Sequence, residues 1–171
     1  MSPICYVCEQ PVIKAYGYSR SKILLIGGSP GKEELEALRP FVGNTGSVLR
    51  QEMAVVGLDL YQCVITNLWY HEPYNKTHKN YEACFEASKN MVLEDAKGKE
   101  AVLLIGADAC EYFTGYKVSE VNGLQVDSNM LSAPIIYAMM QPTTVLKGRG
   151  VGELRFAINN FVNHIKKEGI V

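Results

Sequence analysis

At 171 residues, with a formal net charge of −1, the chain is long enough to bury a sizeable core in one domain, residues 1–171, without disulfide staples. It is 47% hydrophobic and 20% charged, an ordinary globular balance; near-neutrality neither demands nor excludes nucleic acid, because a basic stripe can sit on one face of a neutral protein. The longest apolar runs, such as AVLLIGADAC, are too short to span a bilayer, and MSPICYVCEQ lacks the charged-then-apolar layout of a signal peptide.

An intracellular, reducing location is therefore expected, and with it reduced thiols. The tail 1–20 carries Cys5 and Cys8 as a C-x-x-C pair in a polar, proline-containing context. The run Ile23–Ile26 predicts a buried strand, and GGSPG follows it at once. Gly27 and Gly28 remove side chains where a ligand could approach main-chain amides. The next helix, expected over Glu33–Leu38, turns its N-terminal dipole toward an anion or a polarised carbonyl. The loop is neither a Walker A loop nor a G-x-G-x-x-G fingerprint. A tight strand-to-helix turn with no ligand explains the glycines equally well. Glu33 and Glu34 are expected to face solvent as helix N-terminal charges.

Phe41, in RPFVGNTG, offers either a core plug or a flat surface for a planar ring. A second helix is expected over Ser47–Val56, then a strand over Cys63–Thr66. Asn67 ends that strand, and its carboxamide can cap a turn or read a base edge, since it both donates and accepts. Helix Tyr81–Glu94 and strand Val102–Ile105 follow. Cys63 and Cys110 lie in apolar runs and read as core thiols. Residues 112–131 alternate enough to predict a short β-hairpin around Asn122–Gly123. After strand Ile135–Ala138 comes QPTTVLKGRG, where Thr143, Thr144, Lys147 and Arg149 could hold phosphates, and where Val145 and Leu146, if exposed, could wedge into a base stack. The last helix spans Gly152–Lys167, with Leu154, Ile158, Phe161, Val162 and Ile165 at helical intervals. Strands alternating with helices predict an α/β three-layer sandwich with a central, mostly parallel four-stranded sheet and ligands at the carboxyl strand ends.

Together the loops resemble the uracil-DNA glycosylase superfamily, specifically its family 4 group with an iron–sulfur cluster. That group's pattern runs G-E-A-P-G-x-x-E, P-F-V-G-x-[AT]-G, I-T-N and a late H-P-[AS]; here stand GGSPGKEE (27–34), PFVGNTG (40–46), ITN (65–67), LLIGADA (103–109) and QPTTVL (141–146). The resemblance implies that Phe41 stacks on a flipped base, that Asn67 reads the uracil edge, and that Gly27 and Gly28 bring pocket amides close. It also exposes two departures: the family's water-activating acid falls on Gly28 and its late histidine on Gln141. Gln141 still donates a neutral hydrogen bond to the developing oxyanion, although losing one such donor typically costs on the order of 10²–10³ in rate. Ser29, Asn67 and Glu33 are the candidates left to orient water.

The resemblance further implies a metal centre at Cys5, Cys8, His71 and Cys84, with His71 where the family has a cysteine. A 4Fe-4S cluster is expected and zinc is the alternative, since three cysteines and one histidine also form an ordinary zinc set. Bound metal would pin the tail and the WYHEPYNKTHKNY loop to the domain. The implied function is a DNA glycosylase that flips uracil or a related modified base and hydrolyses its N-glycosidic bond in DNA repair. The alternative is an inactive or altered-specificity module that binds DNA or protein. DNA is the expected partner, with a replication or repair protein as a second, no membrane contact, a monomeric state and a nucleoid-associated cytoplasmic location.

Overall fold

A computed structural model describes residues 2–171. Strands β1 (Tyr16–Gly17), β2 (Ile23–Gly27), β3 (Val64–Asn67), β4 (Ala101–Ile105) and β5 (Ile135–Met139) form one sheet in the order β1-β3-β2-β4-β5. The pairs β2–β3, β2–β4 and β4–β5 are parallel, and β1 joins β3 antiparallel. The four expected strands are therefore all present. The fifth is a two-residue exposed edge piece, too short to carry a period.

Each parallel strand is an apolar run because both sheet faces are covered. Leu24, Ile26, Val102, Leu104 and Ile136 point to one side. There they meet α3 (Tyr81–Ala96) and α4 (Ala107–Thr114) through Cys84, Val92, Ala109, Cys110 and Phe113. The alternating residues Ile23, Leu25, Ile65, Leu103 and Ile135 point to the other. They pack on α2 (Asn44–Val55) and α7 (Val151–Lys167) through Leu49, Met53, Leu154, Ile158, Phe161 and Ile165. Two helix–sheet interfaces thus fix the sheet, and the loops at its carboxyl end are left to make a site.

The remaining helices are short: α1 (Lys32–Ala37), α5 (Val118–Val121), α6 (Thr143–Leu146) and a 3₁₀ turn at Leu60–Gln62. Cys63 and Cys110 are buried as expected; burial, with the Asp59 charge adding, pushes the Cys63 thiol up to about 12.

The hairpin expected in 112–131 does not form. Residues up to Thr114 complete α4, whose C-cap Gly115 adopts a left-handed conformation, and Val118–Val121 is a helical turn. The alternating segment after Asn122 bridges β5 instead, at Asn122–Ala138 and Gln125–Tyr137. Tertiary pairing to an existing edge outcompeted a local two-strand ribbon, which is marginal alone. No helix among the described residues is long and apolar enough to cross a membrane.

Candidate functional site

The carboxyl ends of β2, β3, β4 and β5 lie side by side, with Gly27 opposite Asn67 and Ile105 opposite Met139. The chain order reverses direction between β2 and β4, the switch point at which open α/β sheets leave a crevice. A cleft of about 430 Å³ opens there, lined among others by Gly28, Ser29, Phe41, Asn67, Gln141 and Thr143. Four segments distant in sequence thus converge. The size lies within the range of small-ligand pockets.

Phe41 is held in the cleft wall by an unusual backbone. Its φ is 54°, a left-handed conformation that costs a non-glycine residue about 1–3 kcal/mol and persists only where the surroundings enforce it. Two contacts enforce it. Arg50 Nη1 donates to the Phe41 carbonyl at 3.0 Å. Gly46 in α2 lets that carbonyl come so near that a Cβ there would stand 1.8 Å from the oxygen. The ring then presses on β2, where a Cβ on Gly27 would meet Phe41 Cζ at 2.6 Å and Asn67 Oδ1 at 2.4 Å. Gly27 thereby sets the ring and the carboxamide together at the floor. PFVGNTG thus holds the Phe41 ring at the edge of the core beside Leu49 and Met53, 7% exposed, and in the cleft wall.

The opposite wall comes from β4 and β5. Gln141 is exposed at the rim, where a Cβ on Gly106 would stand 2.5 Å from its Oε1. The Thr144 hydroxyl donates to the Gln141 carbonyl at 2.8 Å, fixing the backbone that carries this side chain. Thr143 lines the cleft; Thr144, Lys147 and Arg149 lie just beyond it, in and after α6. Lys147 and Arg149 are exposed, as is Leu146, while Val145 packs against the core. Of the two wedge candidates, Leu146 alone stands free.

Two carboxylates line the cleft, Glu34 and Asp108. Glu33 is exposed, but Glu34 does not simply face solvent: its Oε2 accepts from the Gly43 amide at 3.2 Å, tying α1 to the loop before α2. Asp108 lies in the first turn of α4, across from Gly28. GADAC follows the strand expected at Val102–Ile105 as a loop, yet the sequence alone does not single out Asp108 in it. The signal available was an acidic residue in the loop that follows a central parallel strand.

Behind the cleft, residues 67–71 run to a second site. Leu68 N donates to the Gly27 carbonyl at 2.8 Å and Trp69 N to that of Gly28 at 3.0 Å, so this segment is fastened to β2. It ends at His71, buried beside Cys5, Cys8 and Cys84, with all four donor atoms within 4.8 Å of one another. The Sγ atoms of Cys5 and Cys84 are 3.9 Å apart, and Cys8 Sγ lies 3.7 Å from His71 Nε2. His71 Nδ1 donates to the Glu72 carbonyl at 2.8 Å. A carbonyl only accepts, so the ring proton sits on Nδ1 and the Nε2 lone pair faces the thiols. Burial pushes the Cys84 thiol up to about 12, with hydrogen bonding and charge at Cys8 and Cys5 adding. Burial also raises Cys8, but hydrogen bonds from Tyr74, the Gln10 backbone and the neighbouring thiols outweigh it and hold this thiol below its ordinary value. Soft thiolates with one imidazole form a group that could hold a transition metal.

The sequence pattern of the uracil DNA glycosylase superfamily matches residues 14–162. A type-4 uracil-DNA glycosylase of Thermotoga maritima is 27% identical over 168 residues, covering 92% of this chain and 85% of that protein. A type-4 uracil-DNA glycosylase of Sulfurisphaera tokodaii is 38% identical over 60 residues, a local match covering 34% of this chain and 27% of that protein. The matched residues run through all five strands and the whole of the cleft wall, and the chain belongs to the uracil DNA glycosylase superfamily.

Proposed function

We propose that the cleft takes a uracil or related modified base flipped out of DNA and that the protein hydrolyses its N-glycosidic bond. The observation that carries this reading is the meeting of Phe41, Asn67 and Gln141 in one cleft of about 430 Å³ at the ends of parallel strands. A flipped pyrimidine stacks on the Phe41 ring, and Asn67 both donates to and accepts from its edge. Bond cleavage drives negative charge onto the departing base. Gln141 donates to the carbonyl oxygen that receives it, and Gly28 and Ser29, which also line the cleft, bring their amides to the base. The Ser29 hydroxyl, exposed in the cleft, hydrogen-bonds the attacking water. Thr143, Thr144, Lys147 and Arg149 hold the phosphates that flank the flipped nucleotide.

The test is strand scission after alkali in oligonucleotides bearing uracil, hypoxanthine, xanthine or 5-hydroxymethyluracil, with protein in excess. Scission at one of these bases, lost in Asn67→Ala, is the expected result. Salt-dependent DNA binding with every strand intact would instead establish the non-catalytic module.

For the metal centre, the family resemblance implies an iron–sulfur cluster, whereas the donor spacing supports a different occupant. In a four-iron cluster each ligand binds a different iron, and the donors stand at the outer corners. One tetrahedral ion with metal–sulfur bonds of about 2.3 Å sets its sulfur ligands about 3.8 Å apart, and Cys5 and Cys84 are 3.9 Å apart. The spacing and the three-thiolate, one-imidazole set favour a single zinc ion held by Cys5, Cys8, His71 Nε2 and Cys84. Such an ion supplies cross-linking: it pins the N-terminal tail to α3 and to the segment that carries Asn67. A colourless protein with one equivalent of zinc supports this assignment, and a brown one absorbing near ~400 nm establishes the cluster.

A further inference from the structure

Hydrolysis of a glycosidic bond needs a group to take the proton of the attacking water, and none of the residues assigned above does so. Ser29 is a neutral hydroxyl, Asn67 and Gln141 are amides, and Gly28 has no side chain. Of the two carboxylates that line the cleft, Glu34 is tied through Oε2 to the Gly43 amide, on the Phe41 side. Asp108 is the other. It enters from the far side of the switch point, at the start of α4, and it stands where residue 28 would project. A Cβ on Gly28 would lie 3.3 Å from Asp108 Cβ and 3.4 Å from its Oδ2. Glycine at 28 therefore leaves room for a carboxylate delivered by β4 instead of β2.

We infer that Asp108 is the general base of the cleft, a role that rests on the hydrolase reading proposed above. Water held between Ser29 and Asp108 attacks C1′ of the flipped nucleotide. Its oxygen forms the new bond to C1′, its proton passes to the Asp108 carboxylate, and the C1′–N bond breaks with its electron pair leaving on the base. Gln141 and the loop amides stabilise that anion. Asp108 then returns the proton to solvent or to the departing base, giving free base and an abasic site.

The experiment is single-turnover excision from a uracil-containing duplex by the metal-loaded full chain, measured as a function of pH beside DNA affinity. Asp108→Asn is expected to lose on the order of 10²–10⁴-fold in rate, to keep wild-type affinity, and to lose the low-pH limb that a titrating base imposes. Glu34 is the only other titratable side chain among the described residues lining the cleft, so Glu34→Gln is the matched control for that limb. Gly28→Asp in an Asp108→Gly background is expected to regain rate, because it places a carboxylate in the space that the Asp108 side chain has vacated. Asp108 is exposed, and thermal melts of each variant check that the fold is intact. Asp108→Asn excising within a few-fold of wild type would overturn the assignment while leaving the glycosylase reading standing. So would a loss accompanied by weakened DNA binding and an unchanged pH profile. A wild-type protein that binds uracil DNA and never excises would remove both.

Discussion

Gly27→Ala is a small change with a large expected effect. The new methyl group would stand 2.4 Å from Asn67 Oδ1 and 2.6 Å from Phe41 Cζ, where ordinary contacts begin near 3.4 Å. Carboxamide and ring must therefore each retreat by roughly 1 Å, and a misplacement of that size costs about 10²-fold in rate, or about 2.7 kcal/mol of transition-state stabilisation. Gly27 is buried, so overpacking is expected to cost about 1–3 kcal/mol of stability as well. The assay is single-turnover excision from a uracil duplex, read beside urea unfolding. Gly152→Ala is the control. A Cβ there meets nothing within 4 Å, and in the first turn of α7 it is expected to add at most about 0.5 kcal/mol of stability, with excision unchanged. Wild-type excision by Gly27→Ala would refute the argument that this position sets the geometry of the base-reading pair.

Lys147→Ala and Arg149→Ala are each expected to weaken DNA binding regardless of sequence and to lower the slope of log K against log salt by about 1; unchanged slopes would take both residues off the DNA backbone. Removing the metal with a chelator should release the N-terminal tail and shift the emission of Trp69, the single tryptophan, whose ring lies 5.9 Å from that of His71; emission that ignores chelation would detach the metal from the fold. A pH effect follows from Asp95, whose carboxyl accepts from the Tyr70 hydroxyl. Burial raises this carboxyl above its ordinary value, against the lowering from the Tyr70 hydrogen bond. The folded state therefore holds the proton more tightly than the unfolded one, and stability falls as pH rises from the unfolded carboxyl value through the raised folded one. Urea titrations across that window should show the fall in wild type and its absence in Asp95→Asn.

Much of this was legible in the amino-acid order for physical reasons. Strands buried on both faces are written as unbroken apolar runs, and ILLIG and AVLLI announce themselves. Loops that follow parallel strands hold the ligand site, so the residues after Gly27, Thr66 and Met139 could be singled out in advance. What stayed hidden depends on tertiary contact. The Tyr16–Gly17 edge strand is defined only by its pairing with β3. The segment after Asn122 looked like half of a hairpin because alternation does not say which edge it will join. Asp108 stands in the loop after a parallel strand, but its place across from Gly28 became visible only when β4 was set beside β2, since nothing local connects the two. Glu34 likewise reads as a helix N-terminal charge until the Gly43 amide is seen beside it.

The central claim is that a base leaves the duplex and settles between Phe41 and Asn67. Its most direct test is the fluorescence of 2-aminopurine placed next to deoxyuridine in a duplex, followed as protein binds. The account predicts a rise as the neighbouring stack opens, kept in Asp108→Asn, where excision is slowed, and lost in Phe41→Leu. Saturable DNA binding with no rise in fluorescence would contradict it.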